Sequence, residues 1–443
     1  MISSWRKIRR SGNKKDVSNM ELSIPNHYRC PISLELMKDP VTLSTGITYD
    51  RASIETWIES GNRTCPITNQ VLRTLEPIPN HTLRKMIQDW CVDNSSYGIE
   101  RIPTPRIPLS SHQISEILSR LVAAQKREDA RGCQEIIAKI IALAKESERN
   151  KRCILENETI GFLASSFEAF SKSSFDHNVG VLERILSALT ILISSLDGEA
   201  KFYLGSNSSL RCMVRLLNSG DLSTRKNAVL VLKHVLSSDQ RKMDEFSDIK
   251  ESLEGLVKLI KEPICPTTTK ASLVIIYNMV LSNKVNEKIV TKFIDMGLVE
   301  RLLEMLVDSE RSICEKALGV LDGICMYNQG REKAYANALT MPVLVKKILR
   351  VSDLATEFSV SVLWNLSKNE KMGEDYNGSG CSIVLSEALQ AGAFQKLLLL
   401  LQFGCSERTK EKASDLLKML NLHRDTVECI DTKDFKNLKR SLN

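Results

Sequence analysis

From about residue 112 nearly to residue 430, apolar positions recur with the 3.6-residue period of amphipathic helices. One motif returns along this region: a small residue, a large aliphatic residue four positions later, and another three positions after that. Its copies are Ala228, Leu232, Val235; Ser272, Ile276, Met279; Ala317, Leu321, Ile324; Ser359, Leu363, Leu366; and Ala413, Leu417, Leu420, and a looser copy ends at Leu192. Successive copies end 43, 44, 45, 42 and 54 positions apart. The pattern therefore predicts a repeated helical unit.

A period of this length is typical of armadillo and HEAT repeats, whose helices stack into a superhelical solenoid. Each copy is followed by a second apolar helical segment, as at Leu256–Ile260 and Leu302–Leu306. The small residue has a physical reason, because helices of neighbouring repeats approach closely there. We therefore predict an all-α, armadillo-like solenoid over residues 112–430. The polar stretch 368–380 in the longest interval is interpreted as an inserted loop.

Two copies of the motif also place an aromatic residue directly before an asparagine, at 277–278 and at 364–365. A regular ladder of Trp and Asn would indicate the peptide groove of a nuclear-import receptor. Two partial matches do not make such a ladder, and the motif alone is weak evidence. We keep this interpretation as an alternative for the solenoid.

The remaining segments have different compositions. Residues 23–97 are dense in Pro, Cys, Gly and Thr with isolated aliphatic residues, which predicts a small mixed α/β domain. Three prolines within residues 98–111 disfavour a helix and predict an extended linker. Residues 1–22 and 431–443 are polar and basic, and we predict a disordered tail at 1–22 and a basic C-terminal tail at 431–443.

Cysteine and histidine spacing in residues 23–97 first suggests a zinc-binding RING finger. Residues 30–33 read Cys-Pro-Ile-Ser and residues 65–68 read Cys-Pro-Ile-Thr, so each CxxC pair has one ligand replaced by a hydroxyl residue. The other candidates are His27, His81 and Cys91. They are too few to complete two four-coordinate zinc sites. We therefore predict a RING-like shape without a metal.

This segment closely resembles the U-box, a relative of the RING finger in which hydrogen bonds and salt bridges replace the zinc ions. The resemblance rests on CPISLELMKDPV at 30–41, GITYDRASIETWI at 46–58, TCPIT at 64–68 and IPNHTLRKMIQDW at 78–90. Polar residues suited to replacing the metals are Ser33, Glu35, Asp39, Ser44, Asp50, Arg51, Thr68 and Asn80. Hydrogen bonds to charged groups contribute about 1.5–3 kcal/mol each.

The resemblance implies a surface that binds a ubiquitin-charged conjugating enzyme. It assigns Ile32 and Leu34 of a first loop, Trp57 of a central helix and Pro66 of a second loop to that surface. Helical spacing places Ile54, Trp57 and Ile58 on one stripe, with Trp57 at its edge. An exposed apolar patch of this kind is costly unless it binds a partner.

Many relatives carry a cationic residue after the second-loop motif, and it clamps ubiquitin. Here the corresponding place holds Asn69 or Gln70, which are neutral. The resemblance also implies direct attack of a substrate lysine on the thioester, so no residue of this chain is expected to be a nucleophile. We expect no cofactor and no metal.

Over nearly its whole length the sequence resembles plant U-box/armadillo ubiquitin ligases, in particular a subgroup associated with defence and stress signalling. The resemblance implies that the armadillo array recruits a protein substrate and that the U-box is a candidate surface for a homodimer. The main alternative is a non-catalytic armadillo scaffold with a degenerate U-box.

Composition and charge narrow the remaining choices. The net charge is +7, and residues 1–20 account for +5 of it, so the rest of the chain is nearly neutral. A basic tail could bind nucleic acid or an acidic membrane surface, but we do not expect nucleic acid to be a partner. The sequence has neither an apolar secretory region nor an apolar run of about 18 residues. We expect a cytoplasmic protein, with nuclear localisation also open.

Overall fold

The computed structural model describes residues 24–100, 102, 109–193, 196, 198–237, 239–282, 287–368 and 379–423. Its contacts divide the chain into two compact units, Met1–Pro108 and Leu109–Asn443. Several predicted features lie outside the described residues: both basic tails, the linker prolines at 103–108, and most of the inserted loop, at 369–378.

The first unit is small and contains both strands and helices. Its elements are a 3-10 turn at Asn26–Tyr28, β1 at Pro40–Thr42, β2 at Thr48–Asp50, α1 at Arg51–Glu59, β3 at Ile78–Pro79, α2 at His81–Asp93 and a second 3-10 turn at Ser95–Tyr97. The sheet is antiparallel with the order β2-β1-β3, and Val41 of the central strand pairs with Tyr49 and Pro79. Helix α2 begins at an Asn80 cap, whose side chain accepts a hydrogen bond from the Leu83 amide.

The core of the first unit combines aliphatic side chains with cysteines and tyrosines. Its buried apolar residues are Tyr28, Cys30, Met37, Val41, Leu43, Tyr49, Ile54, Cys65, Leu72, Ile87 and Cys91. All three cysteines of the described part of this unit lie in that core. Of the three, Cys91 packs as a small apolar side chain.

The second unit is helical throughout its described residues. Its helices are α3 Ser111–Lys126, α4 Ala130–Glu146, α5 Glu148–Glu156, α6 Thr159–Lys172, α7 Phe175–Ile191, α8 Gly198–Leu204, α9 Asn207–Ser219, α10 Leu222–Leu236, α11 Gln240–Ser247, α12 Ser252–Lys261, α13 Pro266–Leu281, α14 Glu287–Asp295, α15 Leu298–Asp308, α16 Arg311–Cys325, α17 Asn328–Tyr335, α18 Thr340–Lys347, α19 Asp353–Ser367, α20 Ser379–Gln390, α21 Ala393–Phe403 and α22 Glu407–His423.

Every third helix of this unit packs against the next in the series, from α4 through α7, α10, α13, α16 and α19 to α22. From α10 onward these helices carry the small-residue motif, and its small members are fully buried: Ala228, Ser272, Ala317, Ser359 and Ala413. The second apolar segments form α12, α15, α18 and α21. A stacked helical solenoid was therefore predicted correctly from the period and from the small residue at the close approach.

Two further features of the second unit are the length of its apolar helices and the burial of its cysteines. No single helix among the described residues is both long and apolar enough to cross a membrane. One helix pair, Val384–Gln390 and Ala393–Phe403, has the length and composition for a span but is bent by 74° between its two helices. Cys212, Cys314 and Cys325 are buried in the solenoid core, where they pack as small apolar side chains.

Candidate functional site

Two loops of the first unit share one backbone geometry. In the loop 30–35, the Cys30 amide donates to the Glu35 carbonyl and the Leu34 amide donates to the Cys30 carbonyl, both at 2.8 Å. The equivalent two bonds in the loop 65–70 are both 2.9 Å. A short antiparallel bridge flanks each loop. The repeated Cys-Pro-Ile-hydroxyl motif thus forms the same turn twice.

The fifth residue of each loop has a left-handed backbone. The φ of Leu34 is +59° and that of Asn69 is +56°. Asparagine tolerates this region, whereas leucine is rarely found there and is strained by about 1–2 kcal/mol. The side chain of Leu34 is 70% exposed and that of Ile32 is 38% exposed. The first loop therefore presents two aliphatic side chains to solvent on a backbone that is fixed by hydrogen bonds.

Strand β2 holds both loops through their cysteines. The Asp50 amide donates to the Cys30 sulfur at 3.3 Å, and the Tyr49 hydroxyl lies 3.1 Å from the Cys65 sulfur. Burial alone would raise the pKa of the Cys65 thiol, but the hydroxyl groups of Thr45, Thr68 and Tyr49 around the sulfur lower this pKa to about 6. The same sulfur contributes to raising the pKa of Tyr49, after the larger effect of burial. The thiols act as hydrogen-bonding centres where a RING finger would hold metal.

The central helix is tied directly to the second loop. The Trp57 indole N–H donates to the Thr64 carbonyl at 2.9 Å, so this half-buried ring is fixed against the loop that carries Pro66. Ile54, on the same helical stripe, is fully buried. Ile58 is half-buried against the core. Helical spacing predicts Trp57 at the edge of this stripe, and the half-buried ring agrees with that prediction.

The second loop carries one exposed apolar residue that we did not predict. Pro66 is half-buried, while Ile67 is 55% exposed and occupies the position that matches Ile32 in the first loop. The repeated Cys-Pro-Ile sequence was a signal that could have identified it. Asn69 and Gln70, the candidate ubiquitin clamp, are both exposed at the end of this loop.

An ionic network joins the residue before β1 to helices α1 and α2. The Asp39 carboxylate accepts from Arg51 Nε at 2.7 Å and also from Arg84 of α2. The Asp50 carboxylate accepts from the backbone amides of Lys38 and Asp39, both at 2.8 Å. Exposure of the side chains of Asp39, Arg51 and Arg84 is 18%, 11% and 12%, so water screens them little.

The sequence named most of this network but not all of it. Arg84 was missed, and Ser33 and Glu35 are exposed rather than part of it. Ser44 instead accepts a hydrogen bond from the Arg73 amide at 3.2 Å. Among the described residues, no group of three or more His, Cys, Asp or Glu side chains is placed to hold a metal ion.

Comparison with known proteins assigns both units to families. A U-box domain model matches residues 24–96, and a model of the plant U-box protein armadillo-repeat region matches residues 113–440. The chain belongs to the plant U-box/armadillo-repeat proteins. This membership places it in the U-box class of ubiquitin-protein transferases and confirms the fold predicted for the two parts, a U-box followed by an armadillo array.

The relatives of this U-box/armadillo protein align over most of their length. U-box domain-containing protein 21 of Arabidopsis thaliana is 47% identical over 426 residues, which is 95% of this chain and 93% of the relative. E3 ubiquitin-protein ligase PUB23 of the same plant is 34% identical over 412 residues, or 91% of this chain and 94% of the relative. Among solved structures, the designed armadillo repeat protein YIII(Dq)4CqI is 20% identical with a TM-score of 0.46, and it covers 58% of this chain and 99% of its own.

The aromatic–asparagine pairs of the armadillo array do not form a continuous ladder. Residues 277–278 lie on α13 and residues 364–365 lie on α19, while α16 packs between these helices and carries Asp-Gly at 322–323. The Trp364 ring is instead covered by Lys368, whose Nζ lies 3.6 Å from the ring centroid. The described helices therefore do not support a nuclear-import groove.

Proposed function

We propose that the U-box of this protein binds a ubiquitin-charged conjugating enzyme through Ile32, Leu34, Trp57 and Pro66, and promotes direct transfer of ubiquitin to a substrate lysine. The observation that carries this proposal is the exposure of apolar side chains on two rigid, matching loops. Exposed aliphatic residues on a fixed backbone are costly in water and typical of protein-binding surfaces.

The chemistry proposed for this site is positioning. The three cysteines of the described U-box, Cys30, Cys65 and Cys91, are fully buried, so even the acidified Cys65 thiol has no access to a thioester. The reacting bond belongs to the conjugating enzyme. A surface that restricts the motion of the thioester raises the frequency of productive approach by the lysine.

The candidate clamp would act through hydrogen bonds rather than charge. Asn69 and Gln70 are exposed beside Ile67, where either amide could donate to a ubiquitin carbonyl. A neutral amide donor gives a weaker hydrogen bond than a guanidinium or ammonium group. We therefore propose that ubiquitin immobilisation depends here mainly on the apolar contacts.

The armadillo array is proposed to recruit the protein substrate. Support comes from the continuous stacking of α4 through α22, which provides a long surface with a repeating pattern. A role in plant defence or stress signalling, with degradation of the substrate, is part of the proposal on family resemblance alone. A homodimer formed through the U-box also stays a prediction.

An autoubiquitination assay across a panel of conjugating enzymes tests the proposal. Ile32→Ala and Trp57→Ala should abolish ubiquitin chain formation. Trp57→Phe keeps an aromatic ring and is the control for loss of the ring in Trp57→Ala. Ile78→Ala is the matched control, because Ile78 is 66% exposed and lies outside both loops. If Ile32→Ala and Trp57→Ala both stayed fully active, the site assignment would be wrong. A chain that is inactive with every conjugating enzyme would favour the non-catalytic scaffold.

A further inference from the structure

The first two helices of the armadillo array form a hairpin with an open groove between them. Helix α3 ends at Lys126 and α4 begins at Ala130, and the tight turn has Glu128 in the left-handed region at φ +54°. On α3 the groove is lined by one stripe that runs from Ile117 to Arg127. A second stripe at three- and four-residue spacing lines it on α4.

The floor of this hairpin groove is apolar. Ile117 and Ala124 of α3 are buried beneath it, and Ile136 of α4 is partly buried against the same core. Ala123 lines the groove and is exposed. The groove encloses about 420 Å³, which is space for several aliphatic side chains.

The rim of the hairpin groove has an excess of free positive charge. Arg120, Arg127 and Lys139 line it and are exposed, and their side chains form no hydrogen bond or ion pair with the described residues. Unpaired cations above an apolar floor favour a partner with carboxylates beside aliphatic groups.

The two carboxylates on the same rim are already engaged. Asp129 accepts a hydrogen bond from the Gly132 amide at 2.8 Å and caps α4. Glu135 lies 3.8 Å from the Arg131 guanidinium. Both carboxylates keep their negative charge, so the lining holds three cations against two carboxylates and the groove has a small net positive charge.

We propose that this hairpin groove binds an acidic amphipathic helix of a protein partner. The stripe from Ile117 to Arg127 is roughly 15 Å long at 1.5 Å per residue, which matches about three turns of a bound helix. Aliphatic residues of that helix would lie on the floor, and its carboxylates would meet Arg120, Arg127 and Lys139. The apolar floor favours this partner over a free polyphosphate. The inference rests on the proposed role of the array in recruiting partners and names the chemical class of one of them.

The test uses the full chain and a fluorescein-labelled helical peptide with Leu at i, i+3, i+4 and i+7 and Glu at the other positions. Fluorescence anisotropy should give saturable binding that weakens with salt, and a peptide with Lys in place of Glu should not bind. The triple variant Arg120→Ala, Arg127→Ala, Lys139→Ala should bind roughly five- to thirtyfold more weakly. Ala123→Glu, which adds a carboxylate to the groove without disturbing the core, should also weaken binding severalfold.

Matched controls separate this groove from general basic charge. Lys126 and Lys145 are exposed on the same two helices but do not line the groove. The double variant Lys126→Ala, Lys145→Ala should bind the peptide like the unaltered chain. Equal loss in this double variant would overturn the proposal, as would absence of binding.

A competitor decides between a helix and a simple anion. Inositol hexakisphosphate should not displace the peptide at equal concentration. Displacement of the peptide at equal concentration would mean an anion site and would overturn the proposal. Autoubiquitination should be unchanged in the triple variant, so failure of the groove and failure of the U-box assignment give different results.

Discussion

The ionic network of the U-box makes a quantitative prediction at Asp39. The Asp39 carboxylate pairs with two guanidinium groups, those of Arg51 and Arg84, whose side chains are 11% and 12% exposed. Asp39→Ala would remove the carboxylate partner of Arg84 and leave Arg51 with the Glu55 carboxylate, 3.6 Å away, in a poorly hydrated site. Breaking a buried pair costs about 3–5 kcal/mol, and partial exposure here lowers the expected loss to roughly 2–4 kcal/mol.

A loss of that size is large for this domain. A folded unit of about 70 residues has a free energy of unfolding of roughly 4–10 kcal/mol. Hydrogen exchange read by mass spectrometry on peptides from residues 24–96 measures the loss in the intact chain. The slowest amides of α1 and α2 should lose protection by roughly two orders of magnitude. Amides of the armadillo array should not change.

Two further variants make this reasoning refutable. Lys38→Ala is the control, because Lys38 is adjacent and exposed and only its backbone amide takes part in the network. Adding Arg84→Met to Asp39→Ala should recover part of the loss, since one unpaired cation is removed. If Asp39→Ala reduced protection no more than Lys38→Ala, the network would not be what stabilises this fold.

Three other predictions follow from the backbone, the packing and the thiols. Leu34→Gly should leave U-box stability equal or higher, because glycine relieves a left-handed backbone, yet ubiquitin transfer should fall severalfold. Gly319→Ala places a methyl group 3.1 Å from two aromatic rings and should lower stability by about 1–3 kcal/mol in urea unfolding, whereas Gly161→Ala, with no atom nearer than 3.7 Å, should raise it by about 0.5–1 kcal/mol. Because the pKa of Cys65 is lowered to about 6, its thiolate should stabilise the U-box fully above about pH 9, and this stabilisation should be lost as the pH falls through 6. The melting temperature of the Cys65→Ser variant should lack this pH dependence.

The solenoid was predictable because its information is local and repeated. A small residue followed by aliphatic residues at helical spacing is readable in one dimension, and those small residues are the ones buried between stacked helices. The ionic network was harder to read. Arg84 lies 45 positions beyond Asp39 on another helix, and nothing in the spacing distinguishes it from Lys85, which is exposed. Charge pairs between distant elements depend on the folded arrangement.

The paired loops have the same backbone geometry and are both held by strand β2. Each loop begins with one cysteine, Cys30 or Cys65, and consecutive residues of β2 hold the two sulfurs through a backbone amide and a phenol hydroxyl. A short strand therefore positions both loops at once. Because Trp57 is also bonded to the second loop, a disturbance of β2 should shift both halves of the proposed surface together. Tyr49→Phe, which removes one hydroxyl from the buried core, should weaken conjugating-enzyme binding at Ile32 as well as at Pro66, and chemical-shift changes confined to the second loop would contradict this coupling.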